Sequence, residues 1–147
     1  MKFKANRNYC VKVFNLVLEH LKLKPKADIE FSLTLADNIQ NENEKHRKIA
    51  SDTNVLTLSL YKDREMLLQN LEKMPVVILG DIFFSYEKLE IEANEQGKMI
   101  DDHFMHLLIH SYLHLLCYDH IKKKEQNEME KIEIDILDSV GIGNPYI

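Results

Sequence analysis

The chain has 147 residues, enough for one domain with a sizeable core. With 45% hydrophobic and 29% charged residues it reads as an ordinary globular protein, and no apolar run reaches the ~18 residues of a membrane-spanning helix. A net charge of −5 argues against a surface given over to neutralising nucleic-acid phosphates. Cations do gather locally at Lys2, Lys4, Arg7 and Lys12, at Lys22, Lys24 and Lys26, at Lys45–Lys48 and at Lys122–Lys124, and such runs are usually solvated surface. Met1 to Arg7 lack the apolar core of a signal peptide, and two cysteines, Cys10 and Cys117, are too few for a disulfide framework. Both features lead to an expected cytoplasmic location.

Residues 1–5 read as a short edge strand. From Tyr9 to Leu23, Cys10, Val13, Phe14, Val17, Leu18 and Leu21 recur at helical spacing; Asn6 or Asn8 supplies the N-cap and Pro25 the stop. Ile29, Phe31, Leu33 and Leu35 alternate through Ala27–Leu35, the pattern of a strand buried on one face. The polar stretch Ala36–Ser51 reads as solvated helix or loop, with Asp37 able to cap a helix to about Arg47. Thr53–Leu60 alternates again as a second strand, and Asp63–Glu72 fits a short helix. Val76–Phe84 is apolar on both faces, which predicts a central strand and makes Asp81 a buried carboxylate in need of partners. Tyr86–Gln96 reads as a helix ended by Gly97. Asp101 or Asp102 caps the next helix, which runs to about Leu116 and is apolar round most of its circumference, hence buried and central. A last helix from about Ile121 to Val140 turns Met129, Ile132, Ile136, Leu137 and Val140 inward. The expected class is α+β: a small mixed sheet packed against several helices, in one domain spanning 1–147.

Five of the seven histidines lie between His103 and His120. His103, His106, His110 and His114 form one polar stripe on the apolar helix. Four buried imidazoles would each need a partner, so a metal or a wet cleft explains them together. Helical residues four apart have Cβ atoms roughly 5–6 Å apart, close enough to share an ion held about 2.0–2.1 Å from each nitrogen. His106/His110 and His110/His114 are equally good pairs, but only His110 and His114 are near enough to the helix end to be met by His120. Were the helix to continue, His120 would sit about 240° round from His114. The helix must therefore end between Leu115 and Asp119 and the chain fold back. Three histidines with no fourth protein ligand is the pattern of a catalytic zinc, one ion per chain, which keeps a place for a zinc-bound water.

His106, one turn deeper, is expected to support the ligands rather than join them. Asp119 either orients a ligand imidazole or caps the last helix, and Cys117 reads as a buried thiol rather than a soft ligand. Ser111 occupies the place of the general-base Glu in the zinc-protease helix H-E-x-x-H. The arrangement is thus zincin-like without that base, and Ser111 is a further candidate neighbour of the ligands.

His110–His120, reading HSYLHLLCYDH, resembles the motif H-G-x-L-H-L-x-G-Y-D-H of the YbeY family of bacterial rRNA-maturation endoribonucleases. His110, Leu113, His114, Leu115, Tyr118, Asp119 and His120 stand at matching places. Leu79-Gly80-Asp81-Ile82 with Glu87, Asn94–Lys98, Asn43 with His46-Arg47 and then Thr53–Leu58, and Asn144-Pro145-Tyr146 are similar to further family motifs. The resemblance covers about residues 40–147. It implies a zinc-binding α+β domain that cleaves single-stranded RNA, acts in 16S rRNA 3′-end maturation and ribosome quality control, and has RNA and the small ribosomal subunit as partners. It carries the zinc ligands onto His110, His114 and His120, and a phosphate- or RNA-binding arginine onto Arg47. Ser111 and Cys117 depart from family glycines. At the turn, glycine enters a left-handed conformation freely, whereas another residue is disfavoured by about 1–2 kcal/mol. Two other readings stay open: a non-catalytic ribosome-assembly or RNA-binding factor with structural zinc, and a metal-dependent hydrolase of another substrate.

Overall fold

The computed structural model describes residues 6–36 and 53–147. The strand expected at 1–5, the helix expected from Asp37, and the cluster Lys45–Lys48 with Arg47 lie outside the described residues. Helix α1 (Arg7–His20) starts where the Asn6 side chain accepts from the Tyr9 N–H at 2.9 Å, one of the two expected caps. Strands β1 (Asp28–Ala36) and β2 (Val55–Ser59) follow. Helix α2 (Arg64–Lys73) is capped by Asp63, and strand β3 (Val76–Ser85) leads directly into α3 (Tyr86–Glu95), capped by Ser85. Helices α4 (Ile100–Leu115) and α5 (Lys123–Ser139) complete the described elements.

Two helix starts differ from expectation. Helix α4 follows Met99 with no side-chain cap; Asp101 and Asp102 lie inside its first turn, where their charge meets the positive end of the helix dipole. Helix α5 begins after Lys122 rather than at Asp119, whose carboxylate instead accepts from the neighbouring His120 N–H. Val140 is 42% exposed, not inward.

The sheet order is β1-β3-β2, with β1 parallel and β2 antiparallel to β3. β3 is central, as its sequence predicts, but its two faces are unequally buried. Val77, Leu79, Ile82 and Phe84 point inward while Val76, Ile78 and Asp81 are exposed. Strict alternation cannot place both 79 and 82 inside. The register explains it: Glu30 pairs with Ile78 but Phe31 pairs with Gly80, so Leu79 is the extra residue of a bulge that switches the inward parity. Asp81 is therefore on the outer face, accepting a hydrogen bond from Ser32 Oγ; the expected buried carboxylate at this position is not found.

Helix α4 packs against α1, α3, α5, β2 and β3. Its Leu108, Ile109, Tyr112, Leu113 and Leu115 are fully buried, which accounts for its near-continuous apolar sequence. The Tyr112 ring meets Phe14 and Phe31 at centroid distances of 5.0 and 5.2 Å, and its hydroxyl donates to the Cys10 carbonyl at 2.8 Å. These contacts tie α1 and β1 to the helix that carries the histidines. The α+β class is as expected, and none of the described helices is long and apolar enough to cross a membrane.

Gly80 has φ 144°, and a Cβ built there would lie 2.0 Å from the Leu58 carbonyl oxygen. Gly80→Ala should destabilise the fold by about 2–5 kcal/mol, from backbone strain of ~1–2 kcal/mol and overpacking of ~1–3 kcal/mol. A urea titration checks this; an unchanged midpoint would mean that β2 can withdraw from β3 at no cost.

Candidate metal centre

Helix α4 ends through a closed left-handed turn. The Tyr118 N–H donates to the Leu113 carbonyl at 2.9 Å and the Cys117 N–H to the His114 carbonyl at 3.0 Å, the bond pair of a Schellman motif. Cys117, at φ 71°, holds the position that glycine usually takes. The turn is braced from outside. Its thiol donates to the Tyr61 carbonyl at 3.4 Å. Arg64 donates to the Cys117 carbonyl at 3.3 Å and lays its guanidinium 3.9 Å from the Tyr118 ring centroid, a cation–π contact. Ser59 Oγ donates to the His114 carbonyl at 3.1 Å, fastening the last turn of α4 to β2.

The turn brings His120 to the other two imidazoles. Ring centroids lie 4.6 Å apart for His110 and His114, 4.9 Å for His114 and His120, and 5.5 Å for His110 and His120. One ring nitrogen from each lies within 4.8 Å of the others, so the group could hold a metal ion. His114 Nδ1 donates to the Tyr118 carbonyl at 3.1 Å, and His110 Nδ1 donates to Glu133 Oε2 at 2.9 Å. With both N–H groups on Nδ1, the two Nε2 lone pairs face one another at 3.1 Å. Two lone pairs so placed repel, and a cation between them relieves this; the nitrogen donor set suits zinc and its neighbours. Burial, then the nearby His110 and His120, holds the His114 imidazole down at about 4, so it is neutral and able to ligate well below neutral pH.

The four-histidine stripe does not act as one group. His103 is buried and bonds Glu92 at 2.8 Å, with Asn54 donating to the same carboxylate. His106 bonds Glu133 Oε1 at 2.8 Å. Each of these two has the carboxylate partner that the spacing alone made implausible, His103 in Glu92 and His106 in a Glu133 that it shares with His110, and among the described residues only His110 and His114 join His120. Among the other candidates, Ser111 is fully buried beside His110 and its hydroxyl has no hydrogen-bond partner among the described residues. Asp119 is exposed and bonds backbone. Cys117 lies outside the nitrogen cluster, and burial pushes its thiol pKa up. Arg47 lies outside the described residues.

Two neighbours escaped the sequence reading. Arg64 carries no signal in its local pattern. Glu133 does: Met129, Ile132, Glu133, Ile136 and Leu137 follow the i, i+3, i+4, i+7, i+8 stripe, so a carboxylate occupies an apolar position on α5. It is fully buried. Burial alone would raise its pKa, but hydrogen bonds from His106 and His110, the field of His110 and a bond from Tyr146 outweigh that and hold it down at about 2.

The three histidines line a cleft of about 570 Å3 whose other wall includes Asn54, Thr57, Ser59 and Lys62. A smaller recess of about 200 Å3 shares His110 and His120 with the cleft and is lined further by Glu133 and Tyr146. Cys117→Gly should relieve the left-handed strain and stabilise the protein by up to about 1 kcal/mol. Thermal unfolding checks this; a fall in Tm would show that the thiol contact to Tyr61 outweighs the strain.

The family model described as Endoribonuclease YbeY matches residues 1–141. An Endoribonuclease YbeY from Francisella philomiragia is 37% identical over 142 residues, covering 97% of this chain and 87% of the relative. One from Agrobacterium fabrum is 37% identical over 147 residues, covering 94% and 83%. A solution structure of a Thermotoga maritima protein aligns with a TM-score of 0.53 at 18% identity, over 94% of this chain and 88% of that one, which shows a shared fold. The histidine cluster thus sits in a sequence matched along nearly its whole length, and the chain belongs to the endoribonuclease YbeY family.

Proposed function

We propose that the chain is a single-domain, zinc-dependent endonuclease that hydrolyses phosphodiester bonds of single-stranded RNA. The observation that carries this reading is the convergence of three imidazole nitrogens, two with their tautomers set by Nδ1 hydrogen bonds, at the floor of an open cleft. His110, His114 and His120 would hold one zinc ion. A zinc ion so held supplies Lewis acidity toward a phosphate oxygen and lowers the pKa of a bound water.

The protein's own groups bind and orient the substrate. Lys62 at the cleft wall neutralises phosphate charge; Arg47, to which the family resemblance gives a phosphate- or RNA-binding role, adds a planar guanidinium that suits two phosphate oxygens at once. Asn54, Thr57 and Ser59 offer an amide and hydroxyls along the same wall. His114 stays unprotonated through the neutral range because of its burial and imidazole neighbours, which keeps its nitrogen a donor to metal rather than a cation repelling it.

A purely structural zinc fits the site less well. Structural sites are closed by four protein ligands, whereas among the described residues three histidines form the group, His120 is exposed, and the cleft opens onto them. The biological assignment, 16S rRNA 3′-end maturation on the small ribosomal subunit in the cytoplasm, is supported by family membership and by the motifs that carry it.

Metal analysis paired with cleavage of single-stranded RNA tests the reading. His114→Ala should lower metal affinity by more than the ~10–100-fold that loss of a supporting partner costs, and cleavage with it. Arg47→Glu should retain metal yet cut on the order of 100- to 1,000-fold more slowly. Wild-type protein that holds no metal, or a His114→Ala variant that cleaves normally, would sink the proposal.

Acid should weaken the metal-free fold in two steps. His114 titrates at about 4 when folded against an ordinary 6.5, so below about 6.5 the unfolded chain takes up the proton first, and stability falls until about 4. Glu133 titrates at about 2 against 4.5, so its contribution is full above about 4.5 and is lost between there and about 2. Thermal unfolding of metal-free protein across this range should show a steadily falling Tm, and a Tm flat from neutral pH to about 4 contradicts the His114 step.

A further inference from the structure

The C-terminal segment enters the site from a side that the histidine motif does not announce. Gly141, at φ 81°, ends α5, and the Ile142 N–H donates back to the Leu137 carbonyl at 2.9 Å. The Tyr146 N–H then donates to Asn144 Oδ1 at 2.8 Å, a local turn that brings the tyrosine ring over α4. Its hydroxyl donates to Glu133 Oε1 at 2.5 Å, and its ring meets His106 edge-on with centroids 5.3 Å apart.

Glu133 therefore accepts three hydrogen bonds: from Tyr146 and His106 on Oε1, and from His110 on Oε2. An ionised carboxylate only accepts. Facing one nitrogen of His110, it requires the N–H to be on Nδ1 and leaves Nε2 free toward His114 and His120. The same bond fixes the ring plane. A carboxylate with no solvent exposure must have its partners in place, and Tyr146 and His106 occupy the oxygen that His110 does not.

We infer that Glu133 is a positioning residue for metal binding and that Tyr146 locks it. Together they set the tautomer and the aim of His110, so the C-terminal segment controls how tightly the three histidines hold their ion. This rests on the metal reading proposed above. Its alternative is that the carboxylate merely braces α5 against α4.

Chelator competition with Zn2+, and the absorption spectrum of bound Co2+, distinguish the two. Glu133→Gln keeps the shape and removes the charge. It should bind Zn2+ on the order of 10–100-fold more weakly than wild type and shift the Co2+ spectrum. Tyr146→Phe removes one hydroxyl and leaves His106 on the same oxygen; it should weaken Zn2+ binding by the folded protein several-fold. If both variants bind Zn2+ as tightly as wild type with an unchanged Co2+ spectrum, the positioning role is overturned and the metal reading stands. If wild type takes up neither ion, both fall. Should Glu133→Gln fail to fold, Tyr146→Phe decides alone: wild-type affinity in that variant overturns the lock.

Discussion

Helix α4 carries two imidazoles one turn apart, and the third reaches them because the chain leaves the helix through a left-handed residue at Cys117. A helix that ran on would carry His120 to another face. A looser exit would leave its position to chance. The Schellman bonds close the turn from within, and Arg64, Tyr61 and Ser59 hold it from β2, α2 and the segment between them. A disfavoured backbone conformation persists where its surroundings over-determine it, and here three separate side-chain contacts do so. The outer sheet strand and the first turn of α2 are thus part of the site's support even though they contribute no ligand.

The same helix is the centre of the core. Leu108, Ile109, Tyr112, Leu113 and Leu115 are fully buried around the two ligand positions, and core truncations of this kind are destabilising by roughly 2–5 kcal/mol each. Such packing fixes the imidazoles far more rigidly than a surface loop could. It also creates a problem, since the helix brings polar rings toward an apolar interior. The solution differs along its length. His103 bonds Glu92 on α3, His106 and His110 share Glu133 on α5, and His114 turns one nitrogen to the backbone of the closing turn. One stripe of similar residues therefore does three kinds of work, decided by what each neighbouring element presents.

Most elements were legible from periodicity and punctuation. Asn6, Asp63 and Gly97 mark real helix ends, and the alternation in β1 and β2 matches their pairing. The histidine spacing correctly required a helix break before Asp119. Legibility failed where a residue's environment is made by something distant. The parity switch at Leu79-Gly80 depends on β1 register and on the approach of Leu58, so Asp81 read as buried when it faces outward. The pairing of His103 with Glu92 and of His106 with Glu133 depends on helix docking that spacing within α4 cannot reveal. Glu133 was visible in principle, as a carboxylate on an apolar stripe. Its partner helix α4 is rich in histidine, so a carboxylate on that face has imidazoles to meet. Arg64 had no such mark, because a cation at the start of a helix is unremarkable until the turn it clamps is placed beside it.

The hydrogen bonds of Glu133 span 23 and 27 residues of chain to His110 and His106, whereas the three histidines lie within a single helix end and its turn. The histidine cluster is therefore local and the carboxylate bonded to it is not. The three imidazoles are brought together by α4 and its turn, whereas the carboxylate that sets the His110 tautomer reaches them only where α5 is docked on α4. Docking of α5 then completes the site, and its local opening unsets it without disturbing the sheet. If the cluster holds a metal, as proposed above, opening of α5 from α4 would be a route for its exchange that leaves the sheet paired.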